Sequence, residues 1–169
     1  MSISNIKALI AEFEIKRQEL QAQIRESLKD AFTEFFNAYP EVDNINFAAF
    51  VPYFNDGEEC VFSIQQILFS GSPELQDSPW QSGFYFSTWK GINLCTDCYD
   101  EDMNEGDIAL KNSFDSKTPE EQKRMADDFG DICSFINSIE DFIREICGSH
   151  VRVKIDRQGI HVEEYEDHD

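Results

Sequence analysis

The sequence predicts an α+β fold, with two long helices packed on an antiparallel sheet built from hairpins. Three observations carry that expectation. Apolar residues recur at three- and four-residue steps over two long stretches. The segment between them switches to short aromatic and β-branched runs. The last twenty residues alternate apolar and polar around a single turn. At 169 residues, the chain suits one domain, 1–169, with enough length to bury a real core.

The first helix is read from about Ser4 to Asn37, on the stripe Ile6, Leu9, Ile10, Phe13, Leu20, Ile24, Leu28, Phe32 and Phe35. Arg17 interrupts the stripe, and Asn37-Ala38-Tyr39-Pro40 ends it. At 1.5 Å per residue such a helix spans roughly 50 Å, against about 40 Å for a compact body of this size. Residues 1–38 are therefore expected to project, bend, or lie along a partner such as a second copy.

A second helix starts with Thr118 as N-cap, Pro119 at its first position and Glu121 closing a capping box. Its stripe is Met125, Phe129, Ile132, Ile136, Ile139, Ile143 and Ile146, widened by Phe135 and Phe142 and stopped at Gly148. Between the helices, Phe47–Phe54 and Cys60–Phe69 read as strands around Asn55-Asp56-Gly57, and residues 83–89 as a third. After the second helix, Val151, Val153 and Ile155 are followed by Asp156-Arg157-Gln158-Gly159 and then Ile160 and Val162, a hairpin with one wet face.

Charge bounds the function. With 34 acidic and 14 basic residues the chain carries −20, which disfavours direct binding to nucleic acid or anionic membranes and favours proteins with basic faces. The charge is uneven. Residues 1–29 hold five basic and four acidic groups. Between Lys29 and Lys90 there is no Lys or Arg but nine carboxylates, and Asp97–Asp107 adds six more. One acidic face follows, on the expectation that an ordinary surface interleaves both signs. No apolar run preceded by basic residues opens the chain, and the five cysteines are odd in number. Both point to a reducing cytosol rather than secretion.

The stretch Pro52-Tyr53-Phe54-Asn55-Asp56-Gly57-Glu58-Glu59-Cys60-Val61-Phe62 is explained by a tight turn, since Asn, Asp and Gly suit one and Pro52 suits a sheet edge or bulge. No His or Lys lies nearby in sequence to activate Cys60. The same stretch resembles a pattern, P-Y-F-N-D-G-(D/E)-x-C-x-F, of small acidic proteins of tailed phages. That resemblance covers about thirteen residues. It implies a role inside an infected bacterium, in the host cytosol, and brings no activity and no residue roles with it.

Three kinds of chemical site were weighed. Cys95 and Cys98, with Cys147 and His150, have the spacing of two zinc knuckles, although 48 residues lie between the pairs and Cys147 equally suits the buried end of a helix. The run from Asp100 to Asp107 misses the calcium-loop pattern, with Gly106 one place late and Lys111 at the final ligand position. It reads as a solvated acidic loop. Three histidines, His150, His161 and His168, and no nucleophile motif argue against an enzyme, and no cofactor is expected.

The leading expectation is an acidic interaction protein that binds and inhibits a host defence or nucleic-acid-handling protein. Its carboxylates, Asp56, Glu58, Glu59, Asp97, Asp100, Glu101, Asp102 and Glu105, would stand in for phosphates on a basic cleft. One alternative is a structural protein that self-assembles through its long helices, as a homodimer or higher oligomer. Another is a small enzyme or zinc-stabilised module for a nucleotide-like ligand, with Arg152, Lys154 and Arg157 near His150 and His161 as the place such a site would occupy.

Overall fold

The computed structural model describes residues 3–51, 61–72, 84–85 and 105–164. Nine elements follow in order: α1 (Ile3–Ala38), β1 (Asn44–Phe50), β2 (Ser63–Ser70), β3 (Phe84–Tyr85), α2 (Glu105–Asp115), α3 (Pro119–Ser138), α4 (Glu140–Cys147), β4 (Val151–Asp156) and β5 (Gly159–Glu164). The fold is α+β, as the patterning predicts. One antiparallel sheet has the order β3-β2-β1-β4-β5. Its centre, β1, pairs with its sequence neighbour β2 on one side (Ile45 opposite Phe69) and with β4 on the other (Ile45 opposite Ile155). The turn residues Asn55-Asp56-Gly57 lie outside the described residues.

Alternation decides which residues enter the core. Ile45, Phe47 and Ala49 of β1 point to the same face as Phe69 of β2 and Val151, Val153 and Ile155 of β4, and all are buried. Against them pack Leu28, Phe32, Phe35 and Phe36 of α1, Leu110 and Phe114 of α2, Met125, Phe129 and Ile136 of α3, and Ile143 of α4. Phe129 stacks on Phe69 with ring centroids 4.1 Å apart, and lies 5.3 Å from Phe35 and 5.4 Å from Tyr39. These offset and edge contacts suit the ring quadrupoles and hold α1, α3 and β2 to one another.

The capping box forms. The Thr118 hydroxyl accepts from the Glu121 amide, and the Glu121 carboxylate accepts from the Thr118 amide at 2.8 Å. The expected single helix from Thr118 to Gly148 is instead two, α3 and α4, broken at Ile139. There the Ile139 amide donates to the Ile136 carbonyl at 3.2 Å, a tighter turn, while the Ser138 hydroxyl donates to the Phe135 carbonyl at 2.7 Å. A hydroxyl competing for a helical carbonyl is a local reason for a break that apolar periodicity does not reveal. Gly148 ends α4 with φ 100°.

A second correction concerns the acidic run. Its last part, from Glu105, is the start of a helix, and Asp107 is fully buried rather than solvated. Its Oδ1 accepts from the Ser70 hydroxyl and from the Gly71 amide, each at 2.8 Å. Gly71 and Gly106 lie back to back: a Cβ on Gly106 would stand 2.2 Å from the Gly71 carbonyl oxygen. The Asn44 side chain closes the same junction by donating to the Ser72 carbonyl. α2 is thus fastened to the end of β2.

The α2–α3 corner is tied to the α1–β1 connection through Glu41, whose Oε1 accepts from Lys117 Nζ at 2.9 Å and from the Ser113 hydroxyl at 3.0 Å. Burial alone would raise this carboxyl, but Lys117, a backbone amide and Ser113 outweigh it and hold it below its ordinary 4.5. A carboxyl depressed on folding contributes its stability above its unfolded pKa and loses it as pH falls through the folded value. Glu41→Gln should therefore cost about 1 kcal/mol at neutral pH. The gap to the parent should hold at pH 7 and narrow progressively as pH falls below 4.5, as a series of urea unfolding curves over that range would read.

α1 departs from the rest in one respect. Its C-terminal half is core, but Ile6, Leu9, Ile10, Phe13 and Leu20 of the predicted stripe are all exposed. Contact with the body starts at Arg17 and Gln21, which both donate to Glu145 Oε1 of α4 (3.2 and 3.0 Å). Arg25 then donates to the Ile146 carbonyl at 2.7 Å.

Candidate functional site

Of the eight carboxylates expected to form the acidic face, Asp56, Glu58, Glu59, Asp97, Asp100, Glu101 and Asp102 lie outside the described residues, and only Glu105 is described. It is exposed at the first position of α2, two residues before buried Asp107. The described residues hold 22 of the 34 carboxylates and 13 of the 14 basic side chains, leaving twelve carboxylates and one lysine, Lys90, elsewhere. Nine of those twelve belong to segments 52–60, 73–83 and 86–104. These segments join β1 to β2, β2 to β3 and β3 to α2, the half of the sheet that ends at β3. The other three follow β5 in the tail. At the opposite edge, the β4–β5 hairpin carries Arg152, Lys154 and Arg157.

Cys147 and His150 of the expected zinc set are described, while Cys95 and Cys98 are not. Cys147 ends α4 and packs against the core; burial pushes its thiol up to about 11, with Arg25 pulling slightly the other way. Cys133 is buried in α3, and its thiol is likewise pushed up to about 11. Both are protonated at neutral pH, unlike metal-ready or nucleophilic thiolates. His150 sits at φ 63° just before β4. No group of three or more metal-binding side chains gathers among the described residues.

The β4–β5 hairpin does form a concave site. A cavity of about 350 Å³ is lined by Asp43, Lys154, Asp156, Arg157, Gln158 and His161. The turn Asp156-Arg157-Gln158-Gly159 builds it. Asp156 Oδ1 accepts from the Gln158 and Gly159 amides at 2.8 and 3.1 Å, and Gly159 adopts φ 142°. Lys154 and His161, directly opposite across the strands, both reach Asp156, at 3.4 and 3.0 Å. Burial opposes ionisation of Asp156, but the Gln158 amide, His161 and Lys154 outweigh it and keep its pKa below the usual carboxylate value. Arg157 lies over the Phe36 ring at 5.2 Å, donates to the Phe36 and Pro40 carbonyls at 3.2 Å each, and meets Asp43 at 3.3 Å.

Each cation in this cavity already faces a carboxylate of the same chain. A carboxylate–imidazole pair can orient and hold a proton, but the other lining groups are ion pairs and an amide, with no nucleophile among them. The cluster clamps the last hairpin to the end of α1. Sequence reading singled out Lys154, Arg157 and His161 here, and missed Asp43 and Asp156, whose roles come from a turn and a register rather than from a motif. No helix among the described residues is long and apolar enough to cross a membrane. A scan against protein-family models and searches of curated proteins and of solved structures find no match to this chain.

Proposed function

We propose that this chain is an acidic interaction protein of phage type. It covers the basic surface of a host protein that handles nucleic acid or defends against infection, and inhibits it by presenting carboxylates where phosphates would bind. The observation that carries this reading is the separation of charge along the chain. Nine carboxylates and one lysine occupy the three segments attached to the β1–β2–β3 half of the sheet, whereas Lys154 and Arg157 of the β4–β5 hairpin are tied to Asp156 and Asp43. A surface of one sign steers an oppositely charged partner and fixes its orientation. The phage-type motif at residues 52–62 adds the cellular setting, the cytosol of an infected bacterium.

The test is affinity capture from bacterial lysate with the parent chain and with Asp100→Lys, Glu101→Lys and Asp102→Lys combined. Capture of a basic protein should fall at least about tenfold between 50 mM and 500 mM salt, because charge steering is screened within about 10 Å at 0.1 M. The triple variant should lose it at low salt, and excess duplex DNA should displace the chain. Capture indifferent to both salt and charge reversal would end this reading.

A further inference from the structure

We propose that the exposed half of α1 pairs antiparallel with the same segment of a second copy of this chain. Ile3, Ile6, Leu9, Ile10, Phe13 and Leu20 are between 46% and 75% exposed. Ile3, Ile6, Ile10, Phe13, Arg17 and Leu20 recur at alternating steps of three and four, the spacing of a two-helix seam. Of the other large apolar residues of this half, Leu9 flanks that stripe and Ile15 lies on the opposite side of the helix. α1 is one unbroken helix, so the segment cannot fold back on its own body.

Charge selects the occupant. The chain carries −20, but residues 1–29 hold five basic and four acidic groups, so this is where two copies meet with least repulsion. A near-neutral apolar stripe offers nothing to the basic partner inferred above, so the two surfaces are independent.

Charge also selects the direction. Parallel pairing would bring two strongly acidic bodies side by side, whereas antiparallel pairing sends them to opposite ends of the shared helix. In the antiparallel register that sets Ile10 against the partner's Phe13, Ile3 falls against the partner's Leu20 and Ile6 against the partner's Arg17. Along the flank, Lys7 then meets the partner's Glu14, twice by symmetry, and Leu9 packs on the stem of the partner's Lys16. Arg17 is already held at the rim by Glu14 at 2.8 Å and Glu145 at 3.2 Å, so its guanidinium stays in water beside the seam. A short helix pair lies at the low end of specific interfaces, at about 1,200 Å², and weak association, with a dissociation constant on the order of 10 µM, is expected of it.

Sedimentation equilibrium from about 1 to 200 µM should show a monomer–dimer equilibrium in that range. Ile10→Glu should weaken it at least about a hundredfold, since the dimer loses two buried layers, one for each copy's Ile10. Circular dichroism and thermal unfolding of Ile10→Glu should match the parent, because the residue is exposed within one copy. Lys7→Glu should weaken the dimer about fivefold, and adding Glu14→Lys should restore it, which a parallel pair would not do. A monomer at the highest concentration, a dimer indifferent to Ile10→Glu, or failure of the double charge swap to restore affinity would each overturn the proposal. So would a monomer that binds neutral phosphatidylcholine vesicles through Ile10, which would make a lipid surface the occupant.

Discussion

Replacing Phe129 by alanine should lower the unfolding free energy by about 3–5 kcal/mol, the range for a buried aromatic truncated to a methyl. Three features place Phe129 near the top of that range. It is 2% exposed, so almost all of its area is lost to the core. Its ring stacks on Phe69 at 4.1 Å and meets Phe35 and Tyr39 edge-on or tilted, so one deletion removes contacts to a strand and to both ends of the α1–β1 corner. The remaining rings are fixed on separate elements and cannot close the void without moving the backbone, which is when cavities cost most. Urea unfolding followed by circular dichroism gives the number. Ile108→Ala, at a 41% exposed position on α2, is the control and should change stability by less than about 1 kcal/mol. Equal losses at the two positions would mean that the aromatic cluster is not the centre of the core.

Gly106→Ala should be nearly as damaging, at about 3 kcal/mol or more, for a different reason. The added Cβ would lie 2.2 Å from the Gly71 carbonyl oxygen and 2.7 Å from the Ser72 amide. The obstacle is backbone on both counts, so no side chain can rotate away. The reverse change, Gly71→Ala, puts its Cβ 2.3 Å from the Gly106 carbonyl oxygen. Both variants push apart the same two chains, so the double variant should cost far less than the sum. Separation of α2 from β2 would also pull the Asp107 carboxylate from the Ser70 hydroxyl and Gly71 amide, leaving buried donors without an acceptor, a loss of about 1–3 kcal/mol in itself. Asp107→Ala should cost that smaller amount alone. If Gly106→Ala and Asp107→Ala proved equally mild, the junction would not be what holds α2 in place.

These junctions mark where sequence reading stops. Patterns that are local in the chain were readable: the Thr118–Glu121 capping box, the Asp156–Gly159 turn and the stop at Gly148 depend on neighbours a few residues apart. Asp107 was not, because a carboxylate in an acidic run is ordinarily solvated. What holds it is a serine and a glycine 37 and 36 positions away, brought close only by the fold. The stripe of α1 was readable as helix, but periodicity is the same whether an apolar face is covered or open. Only the structure separates Leu28, Phe32 and Phe35, which are core, from Ile6, Ile10 and Phe13, which are not. Of the expected acidic face, seven of the eight residues lie outside the described residues, and only Glu105 is placed, at the start of α2.

The pairing of β1 with β4 has a consequence for how the chain comes to be folded. The middle strand of the sheet is made early, yet one of its two edges waits for residues 151–156, more than a hundred positions further along the chain. Until then the amides and carbonyls along that edge are unpaired, and the apolar face of Ile45, Phe47 and Ala49 lacks its neighbours Val151, Val153 and Ile155. Closure over so long a loop is entropically slow, and an open strand edge recruits other chains. The sheet is therefore closed only once β4 reaches β1, and loss of the β4–β5 hairpin would leave an adhesive fragment in place of a smaller version of the molecule.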